Sequence, residues 1–123
     1  MILVDTSVWI DHIKVADPRL SAMLGGDRVF AHPFVLGELA MGSIRQRTAV
    51  MAVYRKLPQA IAASDEDVLR MIELHGLFGR GIGFIDVHLL ASAILTPDTQ
   101  LWSRDRRLNA AAEVLGIAAR IAH

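Results

Sequence analysis

Four carboxylates in this 123-residue chain stand where an apolar side chain would be easier to accommodate. Asp5 ends the apolar run Ile2-Leu3-Val4, and Asp105 follows the stretch Leu101-Trp102. Glu38 interrupts the apolar run 34–41, and Asp86 sits between Ile85 and Val87. An unpaired ionised carboxylate in such surroundings is costly, or shifts its pKa until it is neutral. Compensation can come from arginine, from shared protons or from a divalent cation. Neither Glu38 nor Asp86 has an arginine within one helical turn in sequence, and Arg45 is the nearest to Glu38. An all-oxygen set suits a hard cation such as Mg²⁺ or Mn²⁺, and the absence of cysteine removes thiolate ligands and catalysis. The four acids together point to a metal-holding cluster. Taken singly, each has an ordinary role: Asp5 and Asp105 as helix caps, Asp105 as a partner of Arg104 or Arg107, Glu38 and Asp86 on a wet helix face.

The elements that must position these acids are short strands and longer helices. Ile2–Val4 reads as a strand buried on both faces of a parallel sheet. Thr6 or Ser7 is the expected cap of a helix through Trp9, Ile10 and Ile13. Asp17-Pro18 opens a second helix that Gly25-Gly26 closes. A second buried strand is expected over 29–31, a helix over 34–41, and a longer helix over 45–56 that Pro58 ends. Ser64 and Asp67 have capping-box spacing for a helix through Val68, Met71 and Ile72. A glycine-rich loop, 76–83, precedes a helix over 85–95. A strand over 100–102, a last helix over 106–115 stopped by Gly116, and a brief final strand over 119–121 complete the chain. This alternation predicts a single α/β domain over 1–123, with three α/β/α layers around a short-stranded, mainly parallel sheet. Ligands gather beyond the carboxyl ends of such strands, where Asp5 and Asp105 fall.

Thirteen Lys and Arg balance thirteen Asp and Glu, which argues against a generic basic nucleic-acid coat. With the four acids gathered around a cation, thirteen positive charges face nine negative ones over the rest of the chain. Hydrophobic residues make up 53% before the nine glycines are counted, which excludes disorder and suggests a partner-covered surface. The helices through Ile10 and Ile13, 34–41 and 50–54 are the candidate covered faces. No basic leader precedes Ile2, and no apolar run is long enough to span a bilayer, so a cytoplasmic protein without membrane association is expected.

The segments around the acids resemble the motifs of the PIN-domain ribonucleases, and within them the VapC-type toxins of VapBC toxin–antitoxin pairs. Val4-Asp5-Thr6-Ser7-Val8-Trp9-Ile10-Asp11 resembles the amino-terminal signature, and Leu36-Gly37-Glu38-Leu39 the second motif. Gly83-Phe84-Ile85-Asp86-Val87-His88-Leu89-Leu90-Ala91 is similar to the third, and Leu101-Trp102-Ser103-Arg104-Asp105-Arg106-Arg107-Leu108 to the fourth. The resemblance covers essentially the whole chain, in order. It implies a PIN-like fold and a Mg²⁺-dependent endoribonuclease, with Mn²⁺ a possible substitute. This would be the toxin of a type II toxin–antitoxin system, hydrolysing RNA with metal-activated water. By position, Asp5 and Asp86 would be direct metal ligands, with Glu38 binding through water or acting as base. Asp105 would fix the water beside one metal or help to bind a second. Thr6, Ser7 and Ser103 fall where a hydroxyl orients a carboxylate or a metal-bound water. The resemblance also implies a homodimer, neutralised by a VapB-type antitoxin whose tail fills the acidic pocket.

Arg104, Arg106 and Arg107 form the densest basic run and are candidate contacts to RNA phosphates, as is Arg80 in the glycine-rich loop. The competing role for them is a solvated helix start. His88, two residues past Asp86, points away from it on a helix and reads as structural or interfacial, while Trp9 and Trp102 read as core. A phosphoacceptor receiver domain would need a lysine beyond a late strand, and the only lysines are Lys14 and Lys56. An Asp-x-Asp phosphatase is excluded by Ser7 at the second Asp position. A catalytically silent PIN-like binding or regulatory module is the remaining alternative, and the intact set of four acids speaks against it.

Overall fold

Ile2, Leu3 and Val4 are all buried, although neighbours on a strand point to opposite faces. Such a strand needs cover on both sides. In the computed structural model, which describes residues 1–121, these three residues form β1 (Ile2–Val4), the middle of a three-stranded sheet. The full element order is β1, α1 (Thr6–Lys14), α2 (Pro18–Gly25), β2 (Val29–Phe30), α3 (Pro33–Met41), α4 (Arg47–Arg55), α5 (Asp65–His75), α6 (Phe84–Leu95), β3 (Gln100–Trp102) and α7 (Arg106–Val114). The strands run in the order β2-β1-β3, and both neighbours are parallel to β1. This is the expected mixed α/β architecture with a parallel central sheet.

Register decides where the chemistry falls. Val4 pairs with Trp102, so the next residue on each strand, Asp5 and Ser103, leaves the sheet at the same end. The Asp5 N–H still donates to the Trp102 carbonyl at 2.8 Å, which ties the two exits together. Asp86 arrives on α6, a helix buried continuously from Val87 to Ala93. A helix apolar on all sides belongs in the interior, and its first turn therefore enters the site from the core.

Several boundaries differ from expectation. Among the described residues the last segment makes one parallel bridge, Leu101 with Ala118, and 119–121 is not a strand. Ile117 O and Ala119 N–H are both spent on Leu101, so the chain crosses the sheet edge at one residue. The helix expected from residue 45 starts at Arg47, because Gln46 takes a left-handed φ of 52°. Neither Thr6 nor Ser7 caps α1; Asp5 holds that position. Ser64 does cap α5, accepting from the Asp67 N–H at 3.1 Å.

Candidate active site

Asp5 has the position of an N-cap but not its bonding. Its backbone is extended, yet its side chain makes no hydrogen bond to the first turn of α1. The carboxylate turns to two hydroxyls instead: Ser7 Oγ donates to Oδ2 at 2.7 Å and Ser103 Oγ at 2.8 Å. Each hydroxyl is oriented in turn by a backbone N–H, that of Arg104 on Ser7 at 3.0 Å and that of Asp105 on Ser103 at 3.0 Å. Because an ionised carboxylate only accepts, both O–H groups point at Asp5. Its other oxygen, Oδ1, accepts nothing from the described residues.

The other three acids rest on donors of their own. Thr6 Oγ1 donates to Glu38 Oε1 at 2.7 Å, which links α1 to α3. The Gly83 N–H donates to Asp86 Oδ2 at 2.9 Å across the start of α6. Asp105 caps α7, its Oδ1 accepting from the N–H groups of Arg107 and Leu108 at 2.9 and 3.1 Å. Burial raises the pKa of Asp86; the Gly83 N–H opposes this, and the negative charges of Asp5 and Asp105 push it further up. Asp5, Asp86 and Asp105 thus share one electrostatic neighbourhood, and Glu38 adjoins it through Thr6.

The burial argument from sequence holds unevenly. Asp5 is buried and Asp86 half-buried, but Glu38 and Asp105 are exposed. The face of α3 that carries Glu38 also shows Phe34 and Met41 to solvent, so Glu38 interrupts an apolar surface and not a core. Among the described residues, no three His, Cys, Asp or Glu side chains are already drawn into a closed metal-ligand set. The donor chemistry, four carboxylates with an unbonded Oδ1 on Asp5, fits a hard divalent cation.

The arginines divide. Arg104 does not reach toward the acids: its guanidinium is bound to Asp11, and to Asp17 at 2.6 Å. Arg106 is exposed at the start of α7. Arg107 lies over Gly81, where a built Cβ would come within 2.5 Å of its guanidinium and φ is +75°. The glycine-rich loop thus packs close to the Arg107 side chain at a point two residues before Gly83, whose N–H binds Asp86. Arg80 donates back to the Gly76 carbonyl at 2.9 Å. His88 is buried, bonded to Asp65 at 2.9 Å and set edge-on against Phe34 and Phe84, as a structural residue. Both tryptophans are core, as expected.

Sequence reading missed Asp11, Arg19 and Asn109. From sequence Asp17 reads only as a helix start. It also receives Arg19 on both oxygens, at 3.0 and 2.8 Å, while Asn109 Nδ2 donates to the Ser103 carbonyl at 2.6 Å. No local spacing signals these partners.

Residues 2–114 match the PIN-domain family. The fold is similar to the crystal structure of PAE2754 from Pyrobaculum aerophilum, with a TM-score of 0.56 at 17% identity over 93% of this chain and 85% of that one. The chain is also 47% identical over 118 residues to Ribonuclease VapC32 of Mycobacterium tuberculosis, in strain CDC 1551 / Oshkosh and strain ATCC 25618 / H37Rv alike, covering 96% of this chain and 95% of each relative. The chain belongs to the PIN-domain family, and within it to the VapC-type ribonucleases. Among the described residues, no helix is long and apolar enough to cross a membrane.

Proposed function

We propose that this chain is a divalent-metal-dependent endoribonuclease, the toxin of a VapBC-type pair, with Asp5, Glu38, Asp86 and Asp105 as its catalytic acids. The observation that carries this reading is Asp5, which forgoes the cap it is placed to make and is turned by Ser7 and Ser103 so that Oδ1 stays unbonded. Asp5 and Asp86, with support from Glu38 and Asp105, would hold Mg²⁺, or Mn²⁺ in its place, and the bound ion would supply an acidified water and offset charge developing on the phosphate.

The chain's own residues do the rest. Ser7 and Ser103 fix the Asp5 rotamer, and the Gly83 N–H fixes Asp86. Thr6 occupies one oxygen of Glu38, leaving the other to accept a proton from the attacking water. Asp105 keeps Oδ1 on the α7 amides, and its Oδ2 accepts no hydrogen bond from the described residues. Arg106 and Arg107 flank it as phosphate contacts.

The groove between α1 and α4, 420 Å³ in volume and lined by Trp9, Ile13, Leu24, Val50 and Val53, would take an apolar part of the antitoxin, whose tail would fill the acidic pocket. A homodimer would cover other exposed apolar residues, among them Leu69, Leu74 and Phe78. Incubation of the purified protein with total RNA tests the function. Cleavage in Mg²⁺ that stops in excess EDTA supports the reading. Equal cleavage in EDTA refutes metal dependence, and no cleavage under any divalent ion favours a silent binding module.

A further inference from the structure

The two hydroxyls that aim Asp5 are themselves aimed by the backbone of one short loop, between β3 and α7. The N–H groups of Arg104 and Asp105 lie on Ser7 and Ser103 at 3.0 Å each. That loop has no regular structure; Asn109 Nδ2 on the Ser103 carbonyl and the Asp105 cap hold it on the α7 side. The Arg104 side chain spans two helices: one end of its fork meets Asp11 on α1, the other meets Asp17 at the head of α2 at 2.6 Å. Asp17 is a rigid anchor. Its side chain is only 7% exposed and accepts from Arg19 N–H and Nε at 2.9 and 3.0 Å, while its own N–H is fixed on His12 Nδ1 at 2.8 Å. Arg19 in turn lies 5.4 Å above the Trp102 ring, on the strand that leads into the loop.

Two guanidiniums and two carboxylates make this group neutral. The Arg104 charge is already met by Asp11 and Asp17, and a planar fork bound at both ends keeps its backbone in place. We propose that Arg104 is a positioning residue: with Asp11 and Asp17 it clamps the β3–α7 loop so that two backbone N–H groups polarise Ser7 and Ser103 toward Asp5. This deepens the nuclease reading, on which the catalytic consequence rests, and it replaces Arg104's expected role as a phosphate contact.

The test compares Arg104→Ala and Arg104→Lys with the wild type in three measurements. These are Mn²⁺ binding by calorimetry, amide hydrogen exchange at residues 104 and 105, and steady-state cleavage across a salt series. For Arg104→Ala the clamp predicts Mn²⁺ binding weakened about tenfold and kcat lowered about 10–100-fold, as for loss of support behind a metal ligand. It also predicts faster exchange at both amides, with KM and the salt slope unchanged. Arg104→Lys, which reaches one carboxylate at a time, falls between. A raised KM with a salt slope reduced by about one charge, at unchanged Mn²⁺ affinity and exchange, makes Arg104 a phosphate contact and overturns the proposal. Should Arg104→Ala fail to fold, Asp11→Asn loosens only the exposed end of the fork. The same pattern at smaller size supports the clamp, and unchanged exchange refutes it. If the wild type cleaves no RNA, the nuclease reading falls while the amide exchange still decides on the clamp.

Discussion

Ser103 and Asp5 lie 98 residues apart in sequence and are joined by a 2.8 Å hydrogen bond at the carboxyl end of adjacent parallel strands. The bond exists because Val4 and Trp102 are in register, so the two chains leave the sheet side by side. The Ser103 hydroxyl both receives the Asp105 N–H and donates to Asp5, so it couples two of the four acids. Ser103→Ala leaves that N–H without its acceptor and Asp5 with one donor fewer. Cleavage should fall about 10–100-fold and stability by about 1–2 kcal/mol, measured by initial rates and urea unfolding. A wild-type rate would show that Asp5 needs only Ser7.

Asp86 gives a pH-dependent signature. Burial and the charges of Asp5 and Asp105 raise its pKa in the folded chain. A group with a raised folded-state pKa contributes stability below its unfolded value, and loses it as pH rises through the folded value. Ionised Asp86 is therefore a cost at neutral pH. In EDTA at pH 7, Asp86→Asn should melt above the wild type, and the gap should close as pH falls to about 4 and below, where both side chains are neutral. A lower melting temperature for the variant at pH 7 would contradict this electrostatic picture.

His32 works in the opposite sense. It is almost wholly buried, and burial, with a smaller contribution from His88, lowers its pKa from 6.5 to about 4. Nδ1 accepts the Phe34 N–H at the head of α3, which leaves Nε2 to donate to Ser92 Oγ at 3.0 Å. The neutral ring stabilises the fold above pH 6.5, and that stability is lost as pH falls toward 4, on the order of 3 kcal/mol at most. Thermal melts across this window should show the loss, and His32→Gln should flatten it. Equal slopes for the two proteins would remove His32 from the account.

The sequence was most legible where chemistry and strand geometry coincided. Asp5 after Ile2–Val4 and Asp105 after Gln100–Trp102 could be placed at one end of a sheet from the strands alone. Asp86 followed from an acid at the head of an apolar helix. At Glu38 apolar composition does not translate into burial, because that face of α3 is exposed. Arg104 reads from sequence as one of a basic run because its partners, Asp11 and Asp17, are 93 and 87 residues distant, and nothing local distinguishes an ion-paired arginine from a free one. The final strand failed for a similar reason, since one bridge to Leu101 depends on the sheet edge and not on the propensity of 119–121.

The central claim is that Asp5 anchors a metal-dependent ribonuclease site. The most direct measurement is the rate of RNA cleavage in Mg²⁺ by the wild type and by Asp5→Asn, with circular dichroism confirming that both are folded. Asn keeps the shape and a hydrogen-bonding oxygen but removes the charge that a cation requires. The predicted result is a folded variant whose cleavage is reduced at least about 1000-fold, roughly 4 kcal/mol of lost transition-state stabilisation. A folded Asp5→Asn that cleaves RNA at the wild-type rate would contradict the claim outright.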